Sequence, residues 1–396
     1  MARLKIFNKR LNGVPLQFIP TPKLIWKNGF IVNCHCDPSG KTKAYMVEII
    51  EERDEWGELI SGFEDSDFYH TYDYHQVSKN PKDKAILFKY SGDGLTIALP
   101  LLIREIEGSS YYDATSVYGY PGPLIYSDSP TFDASDFKKE LNAYLIENKV
   151  VSVFSRLNPF IPLQEYLLEG MGEIISPGNI INIDLTKDME SQLREYHKRL
   201  RTYINKSRRL FTIKKAKSKS ELTTFMELYH DNMRRVDAKP KYFFAPEYFY
   251  KMFGSDSFES ELLFAISDKS KEIVAGAWFI KKNRIVQYHL SGVRDDHLKL
   301  NPVKMLIDEM RIRARREGYT YFNLGGGVAN KEDSLYQFKQ GFSHDIRPFN
   351  VWRYIVNKKV YDELVKRKAA YYCALSPKPC NDFFPCYRCD SPVLHK

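Results

Sequence analysis

Two stretches of this chain, far apart in sequence, read alike. Ile86–Gly119 is ILFKYSGDGLTIALPLLIREIEGSSYYDATSVYG, and Leu262–Val293 is LLFAISDKSKEIVAGAWFIKKNRIVQYHLSGV. Each holds an apolar and β-branched run, a polar turn, a longer apolar run, a second turn and a third run that closes on serine. In the first copy, Ser91-Gly92-Asp93-Gly94 and Glu107-Gly108 are hairpin signals. A strand unit of this kind must bury one face against something, so its recurrence predicts two similar α/β units with antiparallel strands, dividing near residues 175–185. The 396-residue length is also more than one ordinary core holds.

Strands are expected besides at Tyr45–Ile50, Val150–Arg156, Ile180–Leu185, Tyr319–Leu324 and Val351–Val356. Helices are expected at Glu55–Phe63, Phe137–Glu147, Glu221–Arg235, Leu300–Arg316 and Lys358–Ala370, and from Pro246. The Phe68–His75 run, with its tyrosines and two histidines, reads as packing at a helix start. Met189, Leu193, Tyr196, Leu200 and Ile204 recur at three- and four-residue steps, which predicts one helix over Lys187–Arg209 with a single apolar face. The division expected is an irregular arm at 1–40, domains at 41–180 and 181–370, and a tail at 371–396.

No apolar run approaches eighteen residues and the N-terminus has no apolar signal region, so a cytoplasmic protein is expected. Six cysteines in such a chain do not form a disulfide framework. Cys373, Cys380, Cys386 and Cys389 could form an all-cysteine zinc set, but only one C-x-x-C is present, and no metal is expected. The net charge is +9, and from Lys198 to Lys219 there are ten Lys and Arg with no Asp or Glu. Such a run suits an anionic partner.

The candidate site lies in Tyr319–Phe342. Its strand empties into Gly325, Gly326 and Gly327, then an acidic and polar start (Glu332, Asp333, Ser334) and a short helix carrying Phe338 and Lys339. Glycines without side chains leave backbone N–H groups bare, fit to hold a carbonyl or a phosphate. The glycine-proline loop Tyr118–Pro123, at a strand end, is of the kind that lines sites.

These pieces, in their order, resemble the Fem-type transferases, whose chains hold two acetyltransferase-like (GNAT) domains. The matching residues are Ser116–Pro123, the Arg199…Lys206…Arg209 helix, Asn232–Arg235, Phe322–Gly327, Leu335–Phe342 and Phe383–Arg388. The resemblance implies an α+β fold of two tandem GNAT-like domains with mostly antiparallel sheets. It implies transfer of an acyl or aminoacyl group to an amine of a cell-envelope or polysaccharide precursor, such as a nucleotide-linked or lipid-linked sugar. The donor would be aminoacyl-tRNA or acyl-CoA, with no tightly bound cofactor, and tRNA and a peripheral membrane contact are among the partners implied. Lys339 would bind the donor end or offset transition-state charge, with Gly326 and Gly327 supplying N–H donors. Tyr118, Arg199, Arg234, Arg235 and Phe338 would contact substrates, and Asp333, Glu332 and His289 are the candidates for a base. GNAT enzymes hold the CoA pyrophosphate on a glycine-containing loop, and the corresponding Arg294–Asn301 has no glycine. The alternative is a non-catalytic RNA-binding or envelope-complex protein with the same fold.

Overall fold

The computed structural model describes residues 42–372 and 383–389, with the backbone of short strands at 26–27 and 30–36. The first half runs β1 (Trp26–Lys27), β2 (Phe30–Cys36), β3 (Thr42–Ile50), α1 (Arg53–Ser61), α2 (Tyr72–Ser78), β4 (Lys84–Gly92), β5 (Leu95–Glu105), β6 (Tyr112–Thr115), β7 (Leu124–Ser127), α3 (Ser135–Glu147), β8 (Val150–Arg156), α4 (Gln164–Leu168) and β9 (Glu173–Asp184). The second runs α5 (Met189–Glu195), α6 (Lys198–Ser207), β10 (Phe211–Lys215), α7 (Lys219–Arg235), α8 (Pro246–Phe253), β11 (Glu259–Ser267), β12 (Ile273–Lys282), β13 (Ile285–Val293), α9 (Pro302–Arg316), β14 (Tyr321–Gly325), α10 (Ser334–Gln340), β15 (Asp345–Ile355) and α11 (Lys358–Tyr372).

The repeat is an architectural one. β4, β5 and β6 form an antiparallel meander, and β8 returns parallel to β6 after α3. β11, β12 and β13 form the second meander, and β14 returns parallel to β13 after α9. β5 and β12, the central strands of the two meanders, are buried almost throughout because helices cover both faces, and they read as continuous apolar runs for that reason. One core packs the first sheet on α3 and another packs the second on α6, α9 and α10. A third core joins the halves, with Trp56, Phe68 and Tyr74 of the first against Phe225, Phe249 and Trp278 of the second.

The halves are also laced through the sheet itself, in the order β1-β2-β3-β4-β5-β6-β8-β15-β9-β14-β13-β12-β11-β10. β9 leaves the first half to pair with β14, and β15 leaves the second to pair with β8. The expected strands at Ile180–Leu185 and Val351–Val356 are the halves of longer ones, because the β9–β15 ladder continues from Asp345↔Asn182 to Arg353↔Glu173. Residue 180 thus lies inside β9. The 1–40 stretch is not wholly irregular: Phe30–Cys36 pairs antiparallel with β3.

The single helix expected over 187–209 is two. Tyr196 and His197 are extended, and the His197 N–H donates to the Gly341 carbonyl at 3.0 Å instead of to its own helix. The kink lets Tyr196 bury its ring while its hydroxyl donates to Asp308, which also holds Arg311 and Arg208. The apolar face read from the sequence is real: Tyr196, Leu200 and Ile204 are buried.

Phe383–Cys389 lies on the first half. Tyr387 reaches Ser152 at 2.7 Å and Asp113 at 3.2 Å, and Arg388 pairs with Asp113, which is fully buried. Cys373 and Cys380, and most of the expected tail, lie outside the described residues. Among the described residues no cluster of three or more His, Cys, Asp or Glu could hold a metal ion, and no helix is long and apolar enough to cross a membrane.

The exchange of β9 and β15 predicts that neither half folds alone. Expressed separately, residues 42–172 should aggregate through the uncovered edge of β8, and size-exclusion chromatography should find a discrete species only when the remaining chain is supplied. A monodisperse, cooperatively melting 42–172 fragment would show the exchange to be dispensable.

Candidate active site

The pairing of β13 with β14 is short. It spans Ile285↔Tyr321, Val286↔Phe322 and Gln287↔Asn323, after which β14 ends at Gly325 while β13 runs on to Val293. Two parallel strands that part in this way open a wedge, and β13 from Tyr288 onward turns an unpaired backbone edge toward it. β13 is bulged at the mouth: Trp278 pairs with Leu290 and Phe279 with Tyr288, leaving His289 as the extra residue. The first half has the corresponding fork where β6 leaves β8 after Thr115↔Phe154.

The glycine turn closes one arm of the wedge. Gly325 has φ +75, and its N–H donates to the Asn323 side chain at 2.8 Å. A Cβ on Gly326 would stand 2.6 Å from the Asn179 carbonyl, and one on Gly327 would stand 1.9 Å from the Lys331 carbonyl. Both glycines are therefore demanded by close backbone approach. Their N–H groups make no hydrogen bond among the described residues. Asp333 then starts α10, accepting from the Tyr336 N–H at 2.9 Å and the Val328 N–H at 3.0 Å. Burial pushes its carboxyl up, but these N–H bonds outweigh it and hold Asp333 below the ordinary carboxylate range.

Lys339 sits under this turn. It is buried, and its ammonium donates to the Gly326 carbonyl at 2.6 Å. Burial pushes its pKa down to about 8, and Asp333 offsets only part of that. Next to it, Phe338 is half-buried and packs edge-on against Phe342. Lys304, in the first turn of α9, holds its ammonium 4.5 Å from the Tyr203 ring centre and 5.7 Å from that of Phe338. Burial lowers its pKa as well. Lys304 is a candidate site residue that reading the sequence missed; a lysine at a helix N-terminus, against the helix dipole, was the available signal.

A cation-aromatic patch lies between the halves. Tyr118 is 64% exposed, with the Arg156 guanidinium 5.0 Å from its ring centre. Lys241 and Tyr242 approach it from the second half. Neither Arg156 nor Lys241 has a carboxylate partner among the described residues. The loop behind Tyr118 is set by Gly119, at φ +124, where a Cβ would strike the Tyr69 ring at 2.2 Å. Deeper in, Asp67 is fully buried, accepts from Gln287 at 2.6 Å, and is pushed up to about 7 by burial. His289 shares a 2.7 Å hydrogen bond with Tyr248, and burial lowers it to about 3. His70 and His75 are buried, as packing predicts.

Residues 193–340 match the model of the acetyltransferase (GNAT) domain. The second half is thus GNAT-like in fold. Among solved structures, the chain is similar to FemX, with a TM-score of 0.60, 14% identity, and cover of 80% of this chain and 99% of that one. It is also similar to a protein of unknown function from Bacteroides thetaiotaomicron, with a TM-score of 0.51, 11% identity, and cover of 78% and 100%. No curated protein matches the sequence. The resemblance to Fem-type, GNAT-like acyltransferases thus holds for the fold, an α+β pair of GNAT-like units.

In this GNAT-like half the expected arginines do not converge. Arg235 is tied to the mouth of the wedge, donating to the Val293 carbonyl at 2.8 Å and to Asp295 at 2.6 Å. Those bonds shape the glycine-free 294–301 loop, which ends with Asn301 at φ +53 before α9. Arg234 is exposed and paired with Asp231. Arg199 is exposed on α6 without a partner among the described residues.

The buried ammonium of Lys339 has a stability consequence. Its folded pKa lies below the ordinary lysine value, so carrying the proton costs stability in full below about pH 8, and the cost fades as the pH rises toward about 10.5. The melting temperature of Lys339→Met relative to the native chain should therefore be more favourable near pH 7 than near pH 10. A difference that is flat with pH would mean that the ammonium is solvated.

Proposed function

We propose that this protein is an N-acyltransferase whose donor carbonyl lies in the β13–β14 wedge. The observation that carries the reading is the glycine turn at the wedge, with two N–H groups unpaired among the described residues and a carbonyl gripped by the buried Lys339. A neutral acceptor amine adds to the donor carbonyl, and the carbonyl π electrons move onto oxygen. The resulting oxyanion is met by the Gly326 and Gly327 N–H groups and by the Lys339 ammonium. Collapse restores the carbonyl, forms the amide and expels the leaving group, which takes a proton as the amine loses one. A fixed donor facing the oxyanion contributes on the order of 3 kcal/mol in a water-poor site.

Acyl-CoA is the donor that the GNAT domain match favours, with thiolate as leaving group. Its phosphates would meet the first turn of α9 and Lys304, since a helix N-terminus and a cation both favour anions. Aminoacyl-tRNA, with a ribose hydroxyl as leaving group, is the other donor to test. The acceptor enters from between the halves, where Tyr118, Arg156, Lys241 and Tyr242 suit a sugar precursor carrying negative charge. Asp333 is occupied in capping α10 and His289 binds protons weakly, so neither is assigned as base. An amine that arrives neutral needs little help of that kind.

Radiolabelled acetyl-CoA and charged tRNA, each offered with amino-sugar acceptors, test the donor. Lys339→Met should lower kcat by about 100-fold or more while KM for the donor changes little. It should also remove any fall in rate above about pH 8 that comes from deprotonating this ammonium. Turnover with neither donor would leave a non-catalytic role, and an unaltered kcat in the variant would leave Lys339 structural.

A further inference from the structure

The exposed side of α6 takes no part in the wedge. Leu200, Ile204 and Ser207 face inward, and Lys198, Arg199, Arg201, Thr202, Asn205 and Lys206 are exposed on the opposite arc. Arg209 and Leu210 continue the exposed surface, with Leu210 37% exposed. The 3-10 turn before α9 lies against the same end, since Ser207 donates to the Leu300 carbonyl at 2.9 Å and Phe211 packs near His297. That turn adds Lys299 and a second exposed leucine, Leu298.

None of Lys198, Arg199, Arg201, Lys206, Arg209 and Lys299 has an ion-pair partner among the described residues. The neighbouring cations differ: Lys187, Arg194 and Arg208 are matched by Glu195, Glu190 and Asp308. Of the acids near the leucines, Asp296 pairs with Arg294 and His297, while Asp268 accepts from the neutral Thr212 hydroxyl and keeps its charge. The α6 face therefore has a concentrated positive charge that no ion pair among the described residues offsets, with aliphatic tips at one end.

We propose that this face docks on an anionic lipid bilayer, with the cations at the headgroups and Leu210 and Leu298 entering the headgroup–acyl boundary. Charge alone would also suit RNA, but single-stranded nucleic acid is held by stacking its bases on aromatic rings. The exposed tips here are leucines, and Tyr203, the aromatic residue of α6, is half-buried with its ring occupied by Lys304. A cationic helix face with aliphatic neighbours is the composition of interfacial membrane contacts. The anchor would hold the protein where lipid-linked acceptors reside, but binding does not depend on which group the wedge transfers.

The test is co-sedimentation of the full chain with vesicles of phosphatidylcholine alone and of phosphatidylcholine mixed with phosphatidylglycerol. The expected result is binding to the mixed vesicles only, abolished by high salt. Each Lys or Arg near an anionic surface is worth about fivefold in partitioning. The exposed triple Arg199→Gln, Arg201→Gln, Lys206→Gln should therefore weaken binding about 100-fold while leaving the circular dichroism melt unchanged. Leu210→Ser with Leu298→Ser should weaken binding further at fixed charge. No binding to the anionic vesicles, or binding untouched by the triple, would overturn the proposal. Tight poly(U) binding lost in the triple, without vesicle binding, would overturn it too and assign the face to nucleic acid.

Discussion

β9 crosses from the first half to pair with β14, β15 crosses back to pair with β8, and the two pair with each other along most of their length. Every ladder hydrogen bond of these strands therefore also ties the two halves together. The wedge depends on that arrangement, because β9 backs β14 and its Asn179 carbonyl leaves no room for a side chain at Gly326. The Asn179–Pro348 pairing with β15 in turn fixes where that carbonyl stands. A candidate site residue of the GNAT-like half is thus shaped by a strand that begins in the other half.

Two buried lysines show how the surroundings decide what burial does. Lys281 is 1% exposed, and although burial opposes its charge, hydrogen bonds from its ammonium to Glu259, Glu261 and Glu317 outweigh that and raise its pKa. It remains a cation and locks β11, β12 and the end of α9 together. Among the described residues Lys339 has only a carbonyl as its hydrogen-bond partner, and its pKa falls to about 8. The first arrangement holds a charge permanently; the second leaves an ammonium near its titration point beside unpaired N–H groups. That contrast separates a structural lysine from one suited to chemistry.

Local signals carried far in the sequence. The strand-turn-strand repeat, the Pro246 helix start, the apolar face of Tyr196, Leu200 and Ile204, and the glycine turn before α10 were all legible, because each follows from short-range periodicity or backbone sterics. The kink at His197 was not: its cause is the Gly341 carbonyl, far away in sequence. Nor was the true length of β9 and β15, since residues such as Gly178 and Pro348 weaken a strand signal and are held in place only by their partner. Among the candidate site residues, Lys339 and the glycines stood out, while Lys304, Arg156 and Asp67 did not, because their place in the site comes from neighbours on other elements.

The sequence by itself determined a duplicated α+β architecture, a basic helix with one apolar face and a glycine turn followed by a lysine helix. These depend on residue type and spacing within a few turns of the chain. Only the tertiary structure decided that the duplicated units exchange strands, that Lys339 is buried on the Gly326 carbonyl, and that Tyr118 meets Lys241 and Tyr242 across the halves. Those outcomes rest on distances between segments brought together by burying a shared core, and no local pattern encodes which distant carbonyl, ring or charge will stand there.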